Sequence, residues 1–90
     1  MKWKPGVTAE QRAQTIAKIR TIPDHVPELR GYVVAENVGS DEGNHELAIF
    51  ADVDDLDGYA AYRDNASHQA IVRDVIRPVL EQRAALQVDA

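Results

Sequence analysis

An α+β fold built around an antiparallel sheet is what this 90-residue sequence predicts. Three observations carry that expectation. Apolar residues alternate with polar ones from His45 to Val53, the pattern of a strand with a buried face. They recur at three- and four-residue spacing after Thr8 and again after Ser67, the pattern of amphipathic helices. The polar run Gly39-Ser40-Asp41-Glu42-Gly43-Asn44 separates two strand-like segments as a turn.

Taken in order, Met1–Lys4 alternates apolar and basic residues and reads as the tail of a strand that Pro5-Gly6 stops. Thr8-Ala9-Glu10-Gln11 fits a capping box, so a helix opens there, with Ala13, Ile16, Ala17 and Ile19 on its apolar face. Pro23 ends it, and Pro23–Glu28 is a loop pinned by two prolines. Leu29–Val38 is the next strand, with Tyr32-Val33-Val34 as its β-favouring centre. His45–Val53 follows, with Leu47, Ile49, Ala51 and Val53 on one face and Ala48, Phe50 and Asp52 on the other. Asp54 or Asp55 caps a short helix carrying Leu56, Tyr59, Ala60 and Tyr62, which Asp64-Asn65-Ala66 breaks. Ser67 is expected to cap a third helix with Ile71, Val72, Val75, Ile76, Val79 and Leu80 on one side. Ala84–Val88 is expected as the last strand.

The order β-α-β-β-α(α)-β is the split-βαβ or ferredoxin-like pattern: a four-stranded antiparallel sheet with helices on one face. The opposite face would then carry Tyr32 or Val33, together with Phe50 and Ala48. One chain has nothing left to cover it. Two sheets packed face to face would cover it and form a barrel-like homodimer.

Composition narrows the function. With 10 Lys+Arg against 15 Asp+Glu, the formal charge is −5, and the absence of a basic cluster argues against nucleic acid as a partner. Zero cysteines exclude disulfides, thiolate metal sites and cysteine nucleophiles. No apolar run approaches the roughly 18 residues of a membrane span, and no apolar leader is visible, so a single cytoplasmic domain over 1–90 is expected. The histidines at 25, 45 and 68 lack metal-ligand spacing. Asp52–Gly58 fails the calcium-loop template, its glycine one place late and Arg63 in the twelfth position. These acids instead suit a helix N-terminus. No metal and no cofactor are expected.

Several segments, in this order and spacing, resemble the stress-responsive dimeric α/β-barrel family. They are Trp3-Lys4-Pro5-Gly6-Val7-Thr8 with Glu10-Gln11, Val26-Pro27-Glu28-Leu29 with Glu36-Asn37-Val38, Leu47–Val53, and Tyr59-Ala60-Ala61-Tyr62 with Ser67-His68-Gln69-Ala70. The chain departs from the family pattern in three places. No counterpart of the family's strand-one histidine is present, Asn65-Ala66 stands where a His-Pro pair is usual, and His45 replaces an aromatic. The resemblance implies the dimeric fold, and an activity for a minority of members, among them a cofactor-free plant polyketide cyclase. Carried over, its tyrosine falls on Tyr62 and its histidine on His68.

The chemistry of that pair is coherent. A neutral imidazole can serve as a general base near physiological pH, and a position in the first helical turn favours the neutral form. A phenol six residues upstream could hold a substrate carbonyl and a developing enolate. Trp3, Ile16, Ile19, Ile49, Ile71 and Val72 would supply walls for a small apolar or aromatic ligand. The competing reading is that His68 is bonded to a loop carbonyl and Tyr62 fills the core. Three functions stay open on the sequence: a cofactor-free cyclase or lyase, a non-catalytic stress-associated dimer, and a cofactor-independent monooxygenase on the same barrel.

Overall fold

The computed structural model describes residues 1–39 and 41–89; Ser40, within the expected turn, lies outside the described residues. Its elements are β1 (Lys2–Trp3), α1 (Ala9–Ile19), a 3-10 turn (Ile22–His25), β2 (Gly31–Glu36), β3 (Leu47–Asp52), α2 (Leu56–Asp64), α3 (Ala66–Ile71) and β4 (Leu80–Gln82). Between α3 and β4 the chain runs through a π-helical segment (Val72–Ile76) and a 3-10 turn (Arg77–Val79).

The strands form two antiparallel ladders, β1 with β4 and β2 with β3. Met1 ties them together. Its amino group donates to the Leu47 carbonyl at 2.8 Å, and its carbonyl accepts from the amides of Glu46 and Leu47 at 2.8 and 3.1 Å. The strands thus follow the order β4-β1-β3-β2, that of an α+β ferredoxin-like fold.

The β2–β3 register decides which residues meet the helices. Tyr32 faces Ala51, Val34 faces Ile49 and Glu36 faces Leu47. Directly opposed residues share a face of the sheet. Leu47 and Val34 are buried, so this face looks onto the core. The other face carries Val33 opposite Phe50 and Ala35 opposite Ala48. Of the alternatives the sequence left open, Val33 is the outward residue and Tyr32 turns inward.

The core lies between that inner face and the helices. It consists of Trp3, Ile16, Ile19, Ile22, Val26, Val34, Leu47, Ile71 and Ile76. Helix α1 starts with the expected capping box: the Gln11 amide donates to Thr8 Oγ1 and the Thr8 amide to Gln11 Oε1. Its buried face is rotated from the expected one. Thr15, Ile16 and Ile19 are buried, whereas Ala13 and Ala17 are exposed. Thr15 tolerates burial because its hydroxyl donates to the Gln11 carbonyl at 2.8 Å.

Three expected boundaries shift. Asn65, not Ser67, caps α3, accepting from the His68 amide at 3.1 Å. The third helix does not continue as α to Leu80, because Pro78 has no N–H to donate four residues back. The last strand is Leu80–Gln82 rather than Ala84–Val88, which is exposed and adds no strand. Leu80 faces the buried Trp3 across the β1–β4 ladder, and that contact sets the position of β4.

Asn65 does two jobs. Besides capping α3, its side-chain amide donates to the His25 carbonyl at 2.9 Å, fixing the α2–α3 elbow to the 3-10 turn. Asn65→Ala removes both bonds and is expected to cost about 1–2 kcal/mol. Ser67→Ala should be near neutral. Urea denaturation of the two variants checks the assignment, and the reverse ranking would overturn it.

Candidate functional site

The α2–α3 elbow places an aromatic chain of contacts at the edge of the core. Tyr62 ends α2 on the side that packs against the core cluster. His68 sits in the first turn of α3, its backbone amide held by the Asn65 side chain. The two rings stack with centroids 4.3 Å apart and planes 27° from parallel. The pair foreseen from the sequence is therefore brought into direct contact.

The imidazole has a second restraint. Its Nδ1 lies 3.4 Å from the carbonyl oxygen of Arg63, and the Gln69 side-chain amide donates to the same oxygen. A carbonyl oxygen only accepts, so the contact is a hydrogen bond in the tautomer that carries its proton on Nδ1 and its lone pair on Nε2. The competing reading expects a loop carbonyl; the one present belongs to the last turn of α2, and it favours the tautomer with its lone pair on Nε2.

Sequence reasoning did not select Tyr32 as a site residue. From β2 its ring meets Tyr62 edge-on, with centroids 6.3 Å apart and planes at 68°. Its hydroxyl is buried and has no hydrogen-bond partner among the described residues. The signal was the strand parity: Tyr32 shares its face with Val34, so an inward Val34 turns Tyr32 inward. Burial pushes the Tyr32 phenol far above its ordinary range, and the neighbouring Tyr62 adds to the shift. Burial also raises Tyr62, opposed by the Tyr32 hydroxyl and by the charge of Arg83. The two hydroxyls thus disturb each other without meeting in good donor–acceptor geometry.

Of the expected wall residues, Trp3, Ile16, Ile19 and Ile71 are buried in the core, and Ile49 and Val72 pack against it half-buried. Two surface clefts lie elsewhere. One, of about 270 Å³, is lined by Glu28, Asp54, Asp55 and Asp57 with Arg30. The other, of about 280 Å³, includes Asn37, Asn44, His45 and Ala48. Two acids of the first cleft have local partners. Asp55 caps α2 by accepting from the Gly58 amide, and Asp54 pairs with Arg30 at 3.0 Å. Among the described residues no helix is long and apolar enough to cross a membrane.

The raised phenol values carry a sign. Tyrosine ionises near 10 in the unfolded chain, while Tyr32 and Tyr62 stay protonated to higher pH in the folded one. Above pH ~10 the unfolded state binds fewer protons, so stability falls as pH rises. Wild-type protein should lose urea stability progressively from that pH upward. Tyr32→Phe should fall less steeply over the same window, and an identical slope would contradict the buried phenol.

Comparison with known proteins follows the fold. The sequence profile described as "Stress responsive A/B Barrel Domain" matches residues 1–89. A crystal structure of a dimeric ferredoxin-like protein of unknown function from Thermobifida fusca YX superposes with a TM-score of 0.87 at 35% identity, covering 99% of this chain and 83% of its own. A dimeric protein of unknown function and ferredoxin-like fold from Bacteroides fragilis NCTC 9343 superposes with a TM-score of 0.72 at 20% identity, covering 92% and 82%. No curated protein matches the chain. The profile match along nearly the whole sequence and the shared architecture lead to one conclusion: the chain belongs to the stress responsive A/B barrel domain family.

Proposed function

We propose that this chain is a cytoplasmic homodimer that holds a small apolar or aromatic molecule, a polyketide-like one included, against Tyr62 and His68. Pairing is supported by the outward sheet face, where Val33 is 55% and Phe50 62% exposed, and by the dimeric state of both structural neighbours. Covering a phenylalanine contributes about 1.5–3 kcal/mol per side chain. A symmetric dimer collects that gain twice.

The observation that carries the site is the stack of Tyr62 on His68 at 4.3 Å. It brings a phenol donor and an imidazole base together on one edge of an apolar cluster. In the enzymatic form of the reading, Nε2 of His68 takes a proton from the carbon beside a substrate carbonyl. The C–H electron pair becomes the enolate C=C bond, the carbonyl π pair moves onto oxygen, and the Tyr62 hydroxyl donates to that oxygen. The enolate carbon then attacks a second carbonyl of the same molecule, a C–C bond closes the ring, and the new alkoxide takes the proton back from the His68 imidazolium. The chain's own groups suffice, so no cofactor is invoked. Trp3, Ile16, Ile49, Ile71 and Val72 supply the apolar surroundings.

A second reading has an observation of its own. Tyr62 packs against the core cluster, so the aromatic pair serves a non-catalytic stress-associated dimer as packing. Tyr62→Phe and His68→Ala separate the two. The site reading predicts a loss of ligand binding or turnover of about tenfold or more in each variant, with the melting temperature held within a few degrees. Unchanged binding and turnover in both, with a large drop in melting temperature, would end the catalytic assignment.

A further inference from the structure

We propose that Tyr32 is a positioning residue whose buried hydroxyl donates to Tyr62, leaving the Tyr62 proton to point at a ligand oxygen. The inference rests on the site reading above and adds a residue that it does not use. A buried hydroxyl without a partner is costly, and such a group in a folded protein calls for a reason. Here the hydroxyl is sealed from solvent and its ring meets Tyr62 edge-on, with centroids 6.3 Å apart. In the relay it acts on a ligand through the Tyr62 phenol rather than by touching it. The proximity of the two phenols is consistent with this coupling: the Tyr32 hydroxyl favours ionised Tyr62, against the effect of burial.

A relay of this kind tightens as a ligand oxygen takes up the Tyr62 proton. A phenol that donates its proton to a ligand becomes a better acceptor, and chains of hydrogen bonds strengthen one another. Catalytic hydrogen bonds are often loose before the ligand arrives and tighten when it binds. Arg83, whose charge also favours ionised Tyr62, gives the relay a positive neighbour. The ligand class that gains most is a small aromatic molecule presenting an anionic oxygen, a phenolate, rather than a neutral hydrocarbon of the same shape.

The test uses 4-nitrophenol, whose ionised form is read by its colour, on the wild-type chain and on Tyr32→Phe, Tyr62→Phe and the double variant. Wild type should bind the phenolate form in preference and lower the probe's apparent pKa. Tyr32→Phe should weaken phenolate binding by about three- to tenfold, the usual worth of a hydrogen bond between neutral groups. Its melting temperature should be equal to or above that of wild type, since an unpaired buried hydroxyl has been removed. The double variant should bind no more weakly than Tyr62→Phe, because Tyr32 acts through Tyr62. Wild-type affinity in Tyr32→Phe overturns the relay while leaving the site reading intact, as does full additivity in the double variant. A wild-type chain that binds no phenol in either form overturns both.

Discussion

The β2–β3 hairpin carries apolar side chains on both faces, and a single layer of helices covers one of them. Val34, Leu47 and Ile49 look into the core, while Val33 and Phe50 look out. Strand geometry leaves no alternative, because neighbours along a strand point to opposite sides. Among the described residues no further element lies over the second face. The same parity that leaves Val33 bare sends Tyr32 inward against Tyr62. The outer surface and the aromatic group thus follow from one constraint, the register of a six-residue strand.

The proposed chemistry depends on a second local device. Helices α2 and α3 would be one helix but for Asn65, whose extended backbone breaks the run and whose side chain starts the next. The break lets Tyr62 at the end of one helix stack on His68 at the start of the other. Residues six apart on a continuous helix lie on different faces and would not meet. Asn65 also bonds to the His25 carbonyl, so the elbow angle is held from outside both helices. The Arg63 carbonyl, freed near the same break, lies 3.4 Å from the imidazole Nδ1.

Much of this was legible in the sequence, and the exceptions have physical causes. The capping box at Thr8 and the alternation through Leu47–Asp52 follow from local patterns, whereas the pairing of Tyr62 with His68 was implied by the family resemblance. The rotated face of α1 was hidden because Thr15 pairs its hydroxyl with its own backbone and so counts as core. Asn65 read as a breaker and proved to be a cap as well, since asparagine does both. The position of β4 depends on the contact of Leu80 with Trp3 across the whole chain, which no local window contains. Tyr32 was missed because a tyrosine in a strand centre is ordinary; the absence of a partner for its hydroxyl belongs to tertiary structure.

A bare sheet face bearing Phe50 and Val33 is the premise from which the proposed dimer and its site are built. Sedimentation equilibrium of the wild-type chain at micromolar concentration tests it most directly. The account predicts a particle of two chains, each 10.0 kDa, that Phe50→Glu converts to single chains without loss of helix signal. A well-folded wild-type particle of one chain at the same concentration would contradict it.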